Sequence, residues 1–111
     1  MEYIPDKWVV VDYSNKYSPT ERYAILAGWY VGFTGSSSWK RSSSIQHTDF
    51  ISDDQICCTT YSGSTYILHK GRIGLTMFTS SLTEEAKLDT LQDWDEIVKA
   101  FKGVNDGEIH Y

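Results

Sequence analysis

Apolar positions recur along this chain with two different periods, and each predicts a different kind of element. Over residues 22–33 the period is two. Tyr23, Ile25, Ala27, Trp29, Val31 and Phe33 fall on one face, and Ala24, Leu26, Gly28, Tyr30 and Gly32 on the other. A strand without a charged face belongs in the middle of a sheet, covered on at least one side. Gly28 and Gly32 oppose a helix, where each would cost ~1 kcal/mol relative to Ala. They suit a strand that bends or is closely approached. A competing signal precedes this run. Ser18, Pro19 and Glu21 offer a capping hydroxyl, a proline at the first helical position and a glutamate three residues after the cap. One helical turn over 18–22 ahead of the strand satisfies both signals; a helix over 19–27 is the alternative.

The same period predicts further strands. Residues 8–13 are rich in β-branched and aromatic side chains. Residues 39–47 alternate, with Trp39, Arg41, Ser43, Ile45 and His47 on one face and Lys40 and serines on the other, as expected near a sheet edge. Residues 56–61 and 66–69 read as a hairpin about Ser62-Gly63. A short strand is expected over 73–77. Residues 1–6 read as a loose lead-in, residues 14–20 and 34–38 as polar loops, and residues 48–54 as a turn with Asp53 and Asp54 at its bend.

Toward the C-terminus the period changes to that of a helix. Leu88, Leu91, Trp94, Val98 and Phe101 make one apolar stripe. Ser81 and Glu84 have capping-box spacing, Glu84 and Glu85 suit the first turn, Lys99 and Lys102 the last, and Gly103 stands at a C-cap position. The expectation is a helix over 82–102 and a tail over 104–111. The whole predicts an α+β fold: a single domain over 1–111, with about five mainly antiparallel strands in a twisted sheet and a C-terminal amphipathic helix packed on one face.

Composition changes this picture in two ways. Aromatics make up 14% of the 111 residues, with four Trp and eight Tyr. Such rings fill cores, and where exposed they anchor partners. The net charge of −5 is also uneven. Residues 1–80 are balanced, whereas residues 81–111 carry eight acids against Lys87, Lys99 and Lys102. An acidic third on a neutral body disfavours nucleic acid and anionic lipid as partners.

The first residues lack the basic-then-apolar pattern of a signal peptide, and no apolar run approaches the ~20 residues of a membrane span. Cys57 and Cys58 are neighbours that a strand would point to opposite faces, so two reduced thiols and a cytoplasmic setting are expected.

Candidate chemistry is sparse. His47, His69 and His110 are scattered, no zinc or metalloprotease spacing exists, and no serine sits in a nucleophile elbow. No cofactor or metal is expected, and the chain reads as non-enzymatic. The leading reading is a small protein that binds another protein, of the size and style of accessory or inhibitor proteins carried by phages and other mobile elements. Its binding surface would be an acidic helix face of Glu85, Asp89, Asp93 and Glu96, facing a partner with a basic surface; homo-oligomerisation is left open. The alternative is a small-molecule or nucleotide (anion) binder using the Gly- and Ser-rich segment over 35–41. Its surface would comprise Tyr30, Trp39, Lys40, Arg41, Tyr66, His69 and Lys70. A small hydrolase using a histidine ranks below both.

Overall fold

The period-two segments assemble into two sheets instead of one. A computed structural model describes residues 1–13, 22–31 and 36–106 of the chain. Among these residues, β1 (Glu2–Tyr3), β7 (Thr65–His69), β6 (Gln55–Thr60) and β5 (Ile45–Ser52) form the first sheet, in that order. The second sheet runs β4 (Ser36–Arg41), β3 (Tyr23–Val31), β2 (Lys7–Asp12) and β8 (Asp89–Leu91). Only β1 and β7 are parallel neighbours; the other pairs are antiparallel. Among the described residues two α-helices, α1 (Met77–Ala86) and α2 (Trp94–Asp106), complete the fold, with a short 3-10 turn over Lys70–Arg72. The α+β expectation and the packed C-terminal helix are met; the expected single sheet is not.

The division into two sheets has a local cause at Ser42. The predicted strand over 39–47 breaks there. Buried Ser42 donates its amide to the Ile25 carbonyl at 2.8 Å, and its Oγ accepts the Ile25 amide at 2.8 Å. The hydroxyl stands in for a strand partner while the chain leaves the second sheet and enters the first as β5.

The main core lies between the sheets and α2. Trp8, Val10, Tyr23, Ile25 and Ala27 of the second sheet meet Ile56, Cys58, Tyr66 and Leu68 of the first, and α2 adds Ile97, Phe101 and Val104. The second sheet is also buried on its outer face. Val9, Val11, Tyr13, Ala24 and Leu26 form a separate cluster with Leu75 and Leu88. Over residues 23–28 both apolar faces therefore have a cover. Gly28 serves a close approach: a Cβ there would lie 2.7 Å from Thr76 Cγ2, just ahead of α1.

The helix expected over 82–102 is corrected to a helix, a strand and a second helix. Leu88 packs into the outer cluster, whereas Leu91 pairs with Val10 and packs into the inner one. Residues three apart on a helix share a face; on a strand they take opposite faces. Each leucine thus joins its own cluster only if the chain is extended between them. Lys87 ends α1 in the left-handed region at φ 52°. Asp93 restarts the helix, its Oδ2 accepting the Glu96 amide at 3.2 Å. Helix α1 begins earlier than expected, at a capping box between Thr76 and Thr79. Gly103 lies inside α2, which continues so that Val104 reaches the core and Asn105 reaches β5.

Smaller expectations shift too. Residues 1–6 are no loose lead-in, since β1 pairs with β7 and Pro5 is buried. Ser36, Ser37 and Ser38 belong to β4, paired with Val31, Tyr30 and Trp29. The turn expected over 48–54 narrows to Asp53 and Asp54, since β5 runs to Ser52. The strand over 73–77 reduces to one bridge between Ile73 and Trp8. Residues 23–27 are strand; the helical turn expected at 18–21 and the tail beyond 106 lie outside the described residues.

Candidate functional site: the outer face of the second sheet

Antiparallel register decides which candidate side chains meet. Along β3 the outer positions are Ala24, Leu26, Gly28 and Tyr30. Across from them on β4, Arg41 faces Leu26 and Trp39 faces Gly28. Tyr30, Trp39 and Arg41 therefore share one face, as the alternative surface required. Lys40 does not: it opposes Ala27 on the inner side and sets its Nζ 5.5 Å from the Tyr3 ring. Tyr66 is fully buried in the core, stacked on Tyr3 at 5.0 Å. His69 and Lys70 belong to the far end of the first sheet. The His69 carbonyl accepts the Trp8 indole N–H at 2.9 Å, and Lys70 Nζ lies 6.0 Å from the Trp94 ring.

The acidic candidates separate as well. Glu85 sits on α1, Asp89 on β8 opposite Asp12, Asp93 at the start of α2 and Glu96 in its first turn. All four are exposed, but they follow a bent path over three elements and form no helix face. Glu96 also lines a hollow of about 400 Å³ with Arg22 and Lys99. Arg22 Nε is 3.6 Å from Asp12 Oδ1 there.

Sequence reasoning missed the polarity of α1. Its buried residues are Thr79 and Thr83, with the capping Thr76 buried beside them. These threonines satisfy one another and the helix backbone: the Thr76 amide donates to Thr79 Oγ1 at 2.7 Å, and Thr83 Oγ1 donates to the Ser80 carbonyl at 2.8 Å. Its first two residues point outward, with Met77 85% and Phe78 53% exposed, while Leu82 and Ala86 line the groove toward the sheet. Thr76 sits on Gly28, so α1 starts between Tyr30, 60% exposed, and Trp39, 45% exposed. Met77 and Phe78 thus lie at the end of α1 that meets the face carrying Tyr30 and Trp39. The signal available in the sequence was the Thr76–Thr79 spacing, which sets the helix start and with it the facing of Met77 and Phe78.

Farther along the same face, between β4 and the second half of α1, lies a groove of about 510 Å³. Its walls are Tyr13, Leu26, Trp39, Arg41, Leu82, Ala86 and Leu88. Arg41 Nη1 donates to Tyr13 Oη at 3.0 Å, and the guanidinium lies 5.8 Å from that ring.

Comparison with family models, with curated proteins and with solved structures returned no match.

The groups that could carry reaction chemistry sit elsewhere. Cys57 and Cys58 are free thiols on opposite faces of β6. Burial pushes both above the ordinary thiol range, and the Asp49 carboxylate opposite Cys57 pushes the same way. A nucleophilic cysteine needs the reverse shift. His47 Nε2 lies 3.0 Å from Asp49 Oδ1 on the open side of the first sheet, where both are exposed. Among the described residues no three His, Cys, Asp or Glu side chains converge as metal ligands, and no helix is long and apolar enough to cross a membrane.

Proposed function

We propose that this chain acts without catalysis, by binding another protein through the outer face of its second sheet. One observation carries the reading: α1 turns its threonines inward and presents Met77 and Phe78 to solvent beside Tyr30 and Trp39. Burying three threonines under a helix while exposing Met and Phe forgoes the hydrophobic stabilisation of the opposite arrangement. A clustered exposed apolar surface of this kind marks an interaction site. Trp and Tyr supply rigid anchors, and Met adapts to the surface it meets.

The partner side follows from charge. Glu85 on α1, Asp89 on β8, and Asp93 and Glu96 at the start of α2 are exposed and favour a partner with a basic surface. The thiols, held toward the protonated form, support a binding role over a hydrolytic one. Free cysteines suit a reducing compartment such as the cytoplasm. Size and composition suit an accessory or inhibitor protein of a phage or other mobile element, an association that rests on those properties alone.

The test is capture of a partner from source-cell lysate by the parent chain and by a Met77→Ser/Phe78→Ser variant. Both residues are exposed, so the variant should melt with the parent and capture nothing the parent captures specifically. A variant that folds and captures the same protein would remove this face from the reading.

A further inference from the structure

The groove between β4 and α1 shares Trp39 with the Met77–Phe78 end of the face, but its chemistry is different. Its floor and far wall are aliphatic, built from Leu26, Leu82, Ala86 and Leu88. One side is the half-exposed indole of Trp39. Beside it is Arg41, the only cation among the described lining residues. Among the described residues no carboxylate lies within ion-pair distance of Arg41; its one hydrogen-bond partner is the neutral Tyr13 hydroxyl. A guanidinium keeps five N–H donors in a rigid fork suited to a carboxylate, so most of that capacity is unspent here. A groove of about 510 Å³ has the size of a small-molecule site.

We propose that this groove binds a small planar organic anion, with its flat apolar body against Trp39 and the leucines and its carboxylate on Arg41. The two halves of the ligand are each required. The aliphatic floor offers nothing to a bare inorganic anion, and a neutral ring could engage Arg41 only through its π face, leaving the guanidinium fork without the carboxylate it matches. Ser38 pairs with Trp29 on β3 and is not among the residues that line the groove. The site does not rest on the protein-binding reading, since Arg41 and the leucines lie outside the Met77–Phe78 patch.

Titration with benzoate, 2-naphthoate and indole-3-acetate, followed by amide chemical shifts and by heat, tests the site. At least one of the three should saturate, with shifts concentrated at Leu26, Trp39, Arg41, Leu82 and Leu88. A charge-assisted hydrogen bond is worth roughly ten- to hundredfold in affinity. Arg41→Gln should lose that much, and so should 2-naphthylmethanol used in place of naphthoate. Arg41→Lys, which keeps the charge and loses the fork, should fall between. Arg41 is exposed on an edge strand, and a melting curve checks each variant's fold. Inorganic phosphate should cause no saturable change beyond that of matched chloride. Failure of all three carboxylates to saturate would overturn the proposal. So would shifts centred elsewhere, equal affinity in Arg41→Gln, or a saturable response to phosphate alone.

Discussion

Tyr66 shows how one side chain can be right for packing and wrong for polarity. Its ring is fully buried and stacks on Tyr3, but its hydroxyl is buried with no hydrogen-bond partner among the described residues. An unsatisfied buried hydroxyl costs about 1–3 kcal/mol. Tyr66→Phe should therefore be neutral or stabilising, by up to ~1 kcal/mol, in denaturant unfolding. The same residue shapes the alkaline limb of stability. Burial, with Tyr3 adding, pushes the Tyr66 hydroxyl up to about 12, and burial holds Cys58 well above its usual range. At neutral pH folded and unfolded chains both keep these protons. As pH rises, the unfolded chain releases them first, from about 8.5 for the thiol and 10 for the phenol. Stability therefore falls with rising pH, by at most about 1.4 kcal/mol per pH unit for each group in its window. In Tyr66→Phe the loss between about pH 10 and 12 should be visibly shallower. An unchanged alkaline slope would mean the hydroxyl reaches water. Nothing in the sequence distinguishes this tyrosine from the exposed Tyr30 and Tyr61. Its burial comes from the face it takes on β7, and β7 was expected only as half of a hairpin.

At the scale of elements, local signals carried further for strands than for helices. The hairpin about Ser62-Gly63 and the two-faced strand after Arg22 stand as expected, because alternation over several residues has one structural solution. The C-terminal stripe misled for a physical reason. Leucines three and four apart fit a helix, but Leu88 and Leu91 are divided between two cores that the sequence does not show to be separate. Of the acidic candidates only their exposure was legible; their spread over α1, β8 and α2 follows from that division. The caps discriminate between the two readings. Asp93→Ala should cost about 1 kcal/mol by removing the acceptor for the Glu96 amide. Ser81→Ala, expected from spacing to remove a cap, should change stability by no more than ~0.5 kcal/mol, because Ser81 is an exposed residue inside α1. The opposite order in chemical denaturation would restore the continuous helix.

For the whole molecule the open question is how its uneven charge acts at a distance. The acids that were expected on one helix face remain exposed, along α1, β8 and α2. Charge reversal at Glu85, Asp89 and Glu96 should slow association with a basic partner more than it speeds dissociation. Long-range attraction works on the encounter, and salt screens it over ~8 Å at physiological ionic strength. The check is association rate against salt for the parent and the triple variant, using the partner captured through Met77 and Phe78. Equal rates and equal salt slopes would reduce the acids to solubilising charges.

The strand pairings also set an order in time. Strand β1 has no partner until residues 65–69 exist, and β2 lacks one neighbour until residues 89–91 do. Asn105 adds a later fastening, holding both the amide and the carbonyl of Thr48 on β5. During synthesis, which runs from the N-terminus onward, the first sheet cannot close until residue 69 has left the ribosome, nor the second until residue 91 has. The apolar strands of residues 7–12 and 23–31 must wait through that interval with incomplete cover. A nascent chain stalled before residue 89 should therefore be a client for chaperones, and a finished chain should not.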